Sequence, residues 1–227
     1  MTRKKDLDYF YEILDKLTNS IGGPKSLKDC HGRMGWPKRG VYFFFEKGEF
    51  REDGETPRVV RIGTHALKNE SKSTLWGRLR THRGRKNGSG NHRASIFRKH
   101  VGTSILNKTN KAGEFSEWSE GSSAPRHIRR KEVPIEIEVS KYIGDMPFLW
   151  IEVDDPPGPN SMRGSIESNS IALLSNYKKK EPIDKASPNW IGHLCHSGEV
   201  RESGLWNVNH VKDDYDSFFL KELMRFV

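Results

Sequence analysis

The stretch that decides the fold is "RGVYFFFEKGEF", residues 39–50. An aromatic and β-branched run directly after a glycine predicts a strand. Alternation along that strand places Val41, Phe43 and Phe45 on one face and Tyr42 and Phe44 on the other. Tyr42 therefore need not share the environment of the flanking phenylalanines. Its hydroxyl is a candidate for chemistry, and plain packing in a core strand is the alternative.

Length and composition indicate one folded domain with appended segments. The chain has 227 residues, and its hydrophobic fraction of 33% is low for a globular protein, although 11 Phe and 6 Trp supply bulky core material. No apolar run approaches the roughly 18 residues that span a bilayer, and no signal-type segment follows the N-terminus. The two cysteines imply no disulfide framework, so we expect a cytoplasmic protein without membrane partners.

Positive charge is concentrated in one region. Residues 71–113 contain eleven Lys and Arg and no Asp or Glu, whereas acidic residues slightly outnumber basic ones in the rest of the chain. A segment of this kind is typical of a surface that binds a polyanion, most simply nucleic acid. A solvated basic loop without a partner is the alternative.

Periodicity predicts an α/β (α+β) domain in which a small three-stranded antiparallel sheet is flanked by helices. Residues 40–46 and 57–62 form a predicted hairpin, and "PFLWIEVDD" is the third strand. Helices are predicted at residues 7–17, in "SKSTLWGRLRTH" with Ser71 or Ser73 as N-cap, and in "RASIFRKHVGTSIL", "SMRGSIESNSIALLSNY" and "YDSFFLKELMRFV". "PIEIEVSKYIG" fits a helix or a strand.

Several motifs, taken in their order along the chain, resemble those of the GIY-YIG nuclease domain. Gly40-Val41-Tyr42 lies on the first strand, and Ile62-Gly63 ends the second. Arg78 and His82 lie one turn apart on the next helix, and Glu167 lies on a later helix. The resemblance implies a nuclease core at residues 38–180 with the basic insertion at 71–113. Residues 1–37 and 181–227 are then helical extensions, the second packed on the core.

The chemistry of phosphodiester hydrolysis suits these residue types. The resemblance implies that Tyr42, Arg61, Arg78, His82 and Glu167 form the catalytic site. Glu167 could hold one Mg²⁺, or Mn²⁺ in its place, because Mg²⁺ binds through one or two carboxylates and keeps several waters. Arg78 could donate two parallel hydrogen bonds to phosphate oxygens. Tyr42 could take a proton from the attacking water if nearby cations stabilise a phenolate, or His82 could relay that proton.

Two positions depart from the family pattern. Arg61 occupies the place where the second motif usually has tyrosine, so it must assist Tyr42 differently or bind phosphate. The family also often has an asparagine after the metal-binding glutamate, for which Asn176 and Asn189 are the candidates. Spacing does not choose between these two residues.

The predicted partner is DNA, most simply double-stranded and bound by the loop and helices of the basic segment. The residues predicted to contact nucleic acid are His65, Arg80, Arg83, Arg85, Arg93, Arg98 and Lys99. A homodimer would suit cutting of both strands. Three alternatives stay open: a binding module that does not cut, a nuclease for structured RNA, and a zinc site built from Cys30, His31, His193, Cys195 and His196.

Overall fold

The computed structural model describes residues 2–227, and its centre is one antiparallel sheet of four strands. The strands are β1 (Lys25–Ser26), β2 (Gly40–Phe50), β3 (Pro57–Gly63) and β4 (Pro147–Glu152), in the spatial order β1-β4-β2-β3. The mixed α/β class is confirmed, with one strand more than predicted. β1 is only two residues long, too short to leave an alternating pattern in the sequence.

Helices cover both faces of the sheet. They are α1 (Arg3–Ser20), α2 (Leu75–Arg83), α3 (Ile96–Lys108), α4 (Arg126–Lys131), α5 (Val133–Gly144), α6 (Met162–Leu174), α7 (Gly198–Ser203) and α8 (Phe219–Met224). Short 3₁₀ turns occupy Leu27–Asp29, His92–Ala94, Ala112–Phe115 and Ile191–Leu194. Within residues 2–227, no helix combines the length and the apolar character needed to cross a membrane.

Two local predictions are settled by side-chain geometry. The segment that fitted either a helix or a strand forms α5, because Ile135, Val139 and Ile143 recur at a spacing of four residues and are all buried. The N-cap of α2 is Thr74, not Ser71 or Ser73. The Thr74 hydroxyl accepts the backbone N–H of Gly77 at 3.1 Å.

The central strand β2 separates two hydrophobic cores, as its alternation predicts. Val41, Phe43 and Phe45 join the core formed with α1, α6 and α8. Tyr42 and Phe44 join the second core, formed with α2, α3 and α5. Tyr42 therefore lies in the layer that contains the basic segment.

The two extensions are integrated into this architecture. β1 extends the sheet at β4, and α1 lies in the same core as α6. At the opposite edge, Trp206 donates its backbone N–H to the Val60 carbonyl of β3 at 2.8 Å. The domain limits at 37/38 and 180/181 stay predictions, since both extensions complete cores that the central segment begins.

Candidate active site

The glycines of the two strand motifs are required by close packing. Tyr42 on β2 lies opposite Gly63 on β3, and a Cβ added at Gly63 would overlap the Tyr42 phenol. A Cβ at Gly40 would overlap the backbone carbonyl of Ile151 on β4. The motif glycines thus leave the space in which the tyrosine ring and the neighbouring strand lie.

A buried hydrogen-bonded chain links Tyr42 to α2 and α3. The Tyr42 hydroxyl lies 2.8 Å from Nε2 of His82, and Nδ1 of His82 lies 2.8 Å from the hydroxyl of Ser95. Both Tyr42 and His82 have no exposed surface. Burial, with the charges of Arg78 and Arg61, lowers the pKa of His82 well below its usual value. His82 is therefore a neutral imidazole at pH 7.

Arg61 supplies a buried positive charge beside Tyr42. It is 5% exposed, its Nη1 donates to the Trp206 carbonyl at 2.6 Å, and its guanidinium carbon lies 5.1 Å from the centre of the Phe97 ring. Its Nε has no hydrogen-bond partner, and within residues 2–227 it forms no salt bridge. Burial lowers its pKa, while the Coulombic effects of Tyr42 and Glu167 raise it. An unpaired buried cation is costly, so this position favours an anion in the site.

Arg78 and Glu167 are the members of the site that keep exposed surface, since both side chains are half-buried. Arg78 lies one turn before His82 on α2. Oε1 of Glu167 accepts the backbone N–H of Thr64, the residue after Gly63, at 3.0 Å. Burial raises the pKa of Glu167, and Arg61 and the Thr64 N–H oppose that rise.

The donor set fits a hydrated divalent ion held by one carboxylate. Oε2 of Glu167 has no hydrogen-bond partner within residues 2–227. A single free carboxylate oxygen is compatible with Mg²⁺, which keeps most of its waters. Over the same residues there is no cluster of three or more His, Cys, Asp or Glu suited to a metal. The alternative zinc site is therefore wrong, and Cys30 and Cys195 are buried free thiols.

The predicted nucleic-acid contacts divide into surface and interior residues. Arg80 and Arg85 are exposed, Lys99 is half-buried, and Arg83 is half-buried with its Nη1 bonded to the Cys30 carbonyl and its guanidinium over the Trp76 ring. The other three have little exposed side chain: His65 and Arg98 are buried, and the side chain of Arg93 is 3% exposed.

Each interior residue has a structural partner. Nδ1 of His65 lies 3.1 Å from the Ser73 carbonyl. Arg93 donates two hydrogen bonds to Glu132 at 2.6 and 2.7 Å, and Arg98 is paired with Glu136 and donates to the His82 carbonyl at 2.8 Å. In this conformation these side chains stabilise the loop and helices, and they do not present charge to a phosphate.

Neither predicted asparagine is brought to the site. Asn176 bonds to Arg3 and to the backbone of Ile183, and Asn189 is exposed. The asparagine beside the site is Asn207, whose amide bonds the N–H and the carbonyl of Ile62 at 3.1 and 2.9 Å. Asn207 lies in the segment "SGLWNVNH", which also contains Trp206. This segment lies far beyond α6, the helix that carries Glu167, and is the part of the sequence from which the contact with Ile62 would have to be predicted.

A small antiparallel sheet that gathers a tyrosine, a histidine, two arginines and a glutamate defines an α/β domain of nuclease class. A family model for the GIY-YIG domain matches residues 1–227, the whole chain, and the protein belongs to that family. Membership implies nuclease activity and a nucleic-acid substrate in general. No match was found among curated proteins or among solved structures.

Proposed function

We propose that the protein is a divalent-metal-dependent endonuclease that hydrolyses phosphodiester bonds in DNA. One observation carries the proposal: the Tyr42 hydroxyl is bonded to a neutral, buried His82 while the unpaired Arg61 lies beside it. A phenol needs nearby positive charge to act as a base near neutral pH. This site supplies that charge at Arg61, which forms no salt bridge within residues 2–227.

Each side chain then has a defined task. Tyr42, once its own proton has been lost to solvent, accepts the proton of the attacking water, and Arg61 stabilises the phenolate charge that the Tyr42 oxygen carries before that step. Arg78 contacts the non-bridging phosphate oxygens, where its planar fork gives two parallel hydrogen bonds. His82 orients the Tyr42 oxygen, either by accepting its proton or by donating N–H to it.

Glu167 would hold Mg²⁺, or Mn²⁺, through its free Oε2. The bound ion would supply positive charge for the phosphoryl group and lower the pKa of a coordinated water. The Thr64 N–H fixes the other carboxylate oxygen. Since β3 supplies Arg61 and Gly63 and is followed directly by Thr64, this strand aligns the glutamate with the tyrosine.

Substrate entry requires a local opening. Tyr42 and His82 have no exposed surface, whereas Arg78 and Glu167 do. A phosphate and its water therefore meet Arg78 and Glu167 first and must uncover the Tyr42 hydroxyl. The covered tyrosine also favours a second candidate function, a binding module of the same fold that holds nucleic acid without cutting it.

Exposed basic side chains and buried cysteines support a proposal for the nucleic-acid partner and the cellular compartment. Arg80, Arg83, Arg85 and Lys99 retain exposed area and are proposed to contact DNA, with structured RNA as the competing substrate. Two buried free cysteines suit a reducing cytoplasm. Double-strand cutting would use a homodimer, which the molar mass of a protein–duplex complex would reveal.

Supercoiled plasmid incubated with Mg²⁺ tests the enzyme against the binding module. We expect nicked or linear product with the wild type and none with Glu167→Ala. Intact plasmid over a broad range of metal and pH, with salt-sensitive binding retained, would establish the binding module. Cleavage of a structured RNA but not of DNA would reassign the substrate.

Tyr42→Phe tests the role of the hydroxyl. We expect cleavage to be abolished while affinity for uncut duplex stays nearly unchanged, because the phenol is buried and contacts no surface groove. Full activity in this variant would remove Tyr42 from the mechanism.

A further inference from the structure

Helix α4 and the loop after α2 form a surface of unneutralised positive charge that lies outside the candidate active site. Arg126, Arg129 and Arg130 are exposed, and within residues 2–227 none of them forms a salt bridge or a side-chain hydrogen bond. This contrasts with Arg93 and Arg98, which are each paired with a glutamate. Helix α4 therefore presents three positive charges to solvent without partners.

Two adjoining clefts connect this helix to α2. The first, of about 330 Å³, is lined by Arg85 together with the three exposed arginines of α4. The second, of about 490 Å³, is lined by Arg80, Arg83, Arg85 and Lys86. Arg85, Gly90 and Asn91 belong to both. The two clefts form a basic track between α4 and the end of α2, the helix that also carries Arg78 and His82, and no residue of the candidate active site lines them.

The carboxylates of the first cleft do not cancel its charge. Glu132 accepts two hydrogen bonds from Arg93, and Glu136 is bonded to Arg98 and His92. Each glutamate is thus already neutralised by a buried arginine. The arginines of α4 are left to face solvent as a net positive surface.

The residue types that line the two clefts indicate which form of nucleic acid they bind. No aromatic side chain lines either cleft within the described residues. Proteins that hold single strands stack bases on aromatic rings, whereas a duplex presents only its phosphates to such a surface. We propose that this track binds the phosphate backbone of duplex DNA that flanks the cutting site. The proposal rests on the proposed function, since it assumes a nucleic-acid substrate.

Salt-dependent binding by a triple variant tests the track. Arg126→Gln/Arg129→Gln/Arg130→Gln is compared with the wild type on a 30-base-pair duplex over a range of NaCl, without divalent metal. We expect an affinity loss of about tenfold or more at 0.1 M salt and a fall of about 2 to 3 in the slope of log K against log salt, because each phosphate contact contributes about 0.9.

A matched control removes equal charge elsewhere. Lys178, Lys179 and Lys180 follow α6, beside Tyr177 of the core on the other face of the sheet. Their triple replacement by Gln should leave the slope nearly unchanged. Equal effects of the two triples, or a loss confined to single-stranded DNA or double-stranded RNA, would overturn the proposal. Failure of plasmid cleavage alone would leave it standing, since binding is measured without metal.

Discussion

At the scale of single residues, the site depends on the fit between Tyr42 and the glycine opposite it. The fit is steric, because the phenol occupies the volume where any side chain at Gly63 would lie. The second motif therefore needs glycine whatever chemistry its preceding residues perform. Arg61 in place of a tyrosine changes the charge of the site and leaves this packing intact.

Gly63→Ala should displace the Tyr42 ring and separate its hydroxyl from His82. We expect at least about a hundredfold loss of plasmid cleavage, and overpacking should lower the unfolding free energy by about 1–3 kcal/mol. Gly113→Ala is the matched control, since its Cβ would meet nothing within 4 Å. Wild-type activity in Gly63→Ala would show that the observed position of the phenol is not required.

Arg61→Met should separate catalysis from stability. Cleavage should fall by about 10²–10³-fold, the usual loss when one charge-stabilising group is removed. Removal of an unpaired buried cation offsets the lost hydrogen bond to the Trp206 carbonyl, so chemical denaturation should show a stability change within about 1 kcal/mol. A loss above about 3 kcal/mol would mean that Arg61 is a structural residue.

At the scale of elements, α3 and α5 are joined by a buried ionic network behind the site. Arg98 of α3 bonds to the Glu136 carboxylate, to the Glu136 carbonyl and to the Ser140 hydroxyl of α5. Burial alone would raise the pKa of Glu136, but hydrogen bonds from His92 and Arg98 lower it. Arg98 also bonds to the His82 carbonyl, so this network determines where α2 lies.

Glu136→Gln should destabilise the fold strongly, because it leaves Arg98 charged and unpaired at 0% exposure. We expect a loss of about 3–5 kcal/mol in unfolding free energy by urea denaturation. The double variant Arg98→Met/Glu136→Leu removes both charges and should recover most of that loss. A single variant within about 1 kcal/mol of the wild type would contradict this account.

The same network shows why the sequence predicts the helices and strands better than it predicts the contacts between their side chains. Strands β2 and β3 and the helices carrying His82 and Glu167 were recognisable from alternation and 3.6-residue periodicity. The sequence does not reveal that Arg93 and Arg98 face inward, because the glutamates that pair with them lie 38 and 39 residues away. The absence of acidic residues from residues 71–113 indicates a positively charged surface. Part of that charge is neutralised by Glu132 and Glu136, at and within the start of α5.

At the scale of the whole molecule, long-range packing limits what the sequence could predict. The family pattern predicts a site asparagine after the helix that carries Glu167, at Asn176 or Asn189. The structure instead aligns Asn207 with β3 through a segment that lies 145 residues further along the chain. Such pairing depends on how the C-terminal extension folds back, which local patterns do not encode. β1 was missed for a related reason, since its pairing with β4 requires a return across more than 100 residues.

Buried histidines predict an acid-sensitive fold. Burial, followed by the charge of Arg163, lowers the pKa of His65 from 6.5 to about 4, and burial, followed by the charge of Arg61, lowers that of His100 to about 4. Their contribution to stability is present above the unfolded-state value of 6.5 and is lost as pH falls toward 4, because the unfolded chain binds protons that the folded chain does not.

Urea denaturation between pH 7.5 and pH 4.5 should therefore show a steady fall in the unfolding free energy that begins near pH 6.5. Each histidine contributes a slope of up to about 1.4 kcal/mol per pH unit, and His100→Gln should reduce the slope by about that amount. His127→Gln, at an exposed position of α4, is the matched control and should not alter it. Constant stability down to pH 4.5 would mean that these imidazoles take up protons in the folded state, and hence that the packing around His65 and His100 opens to water.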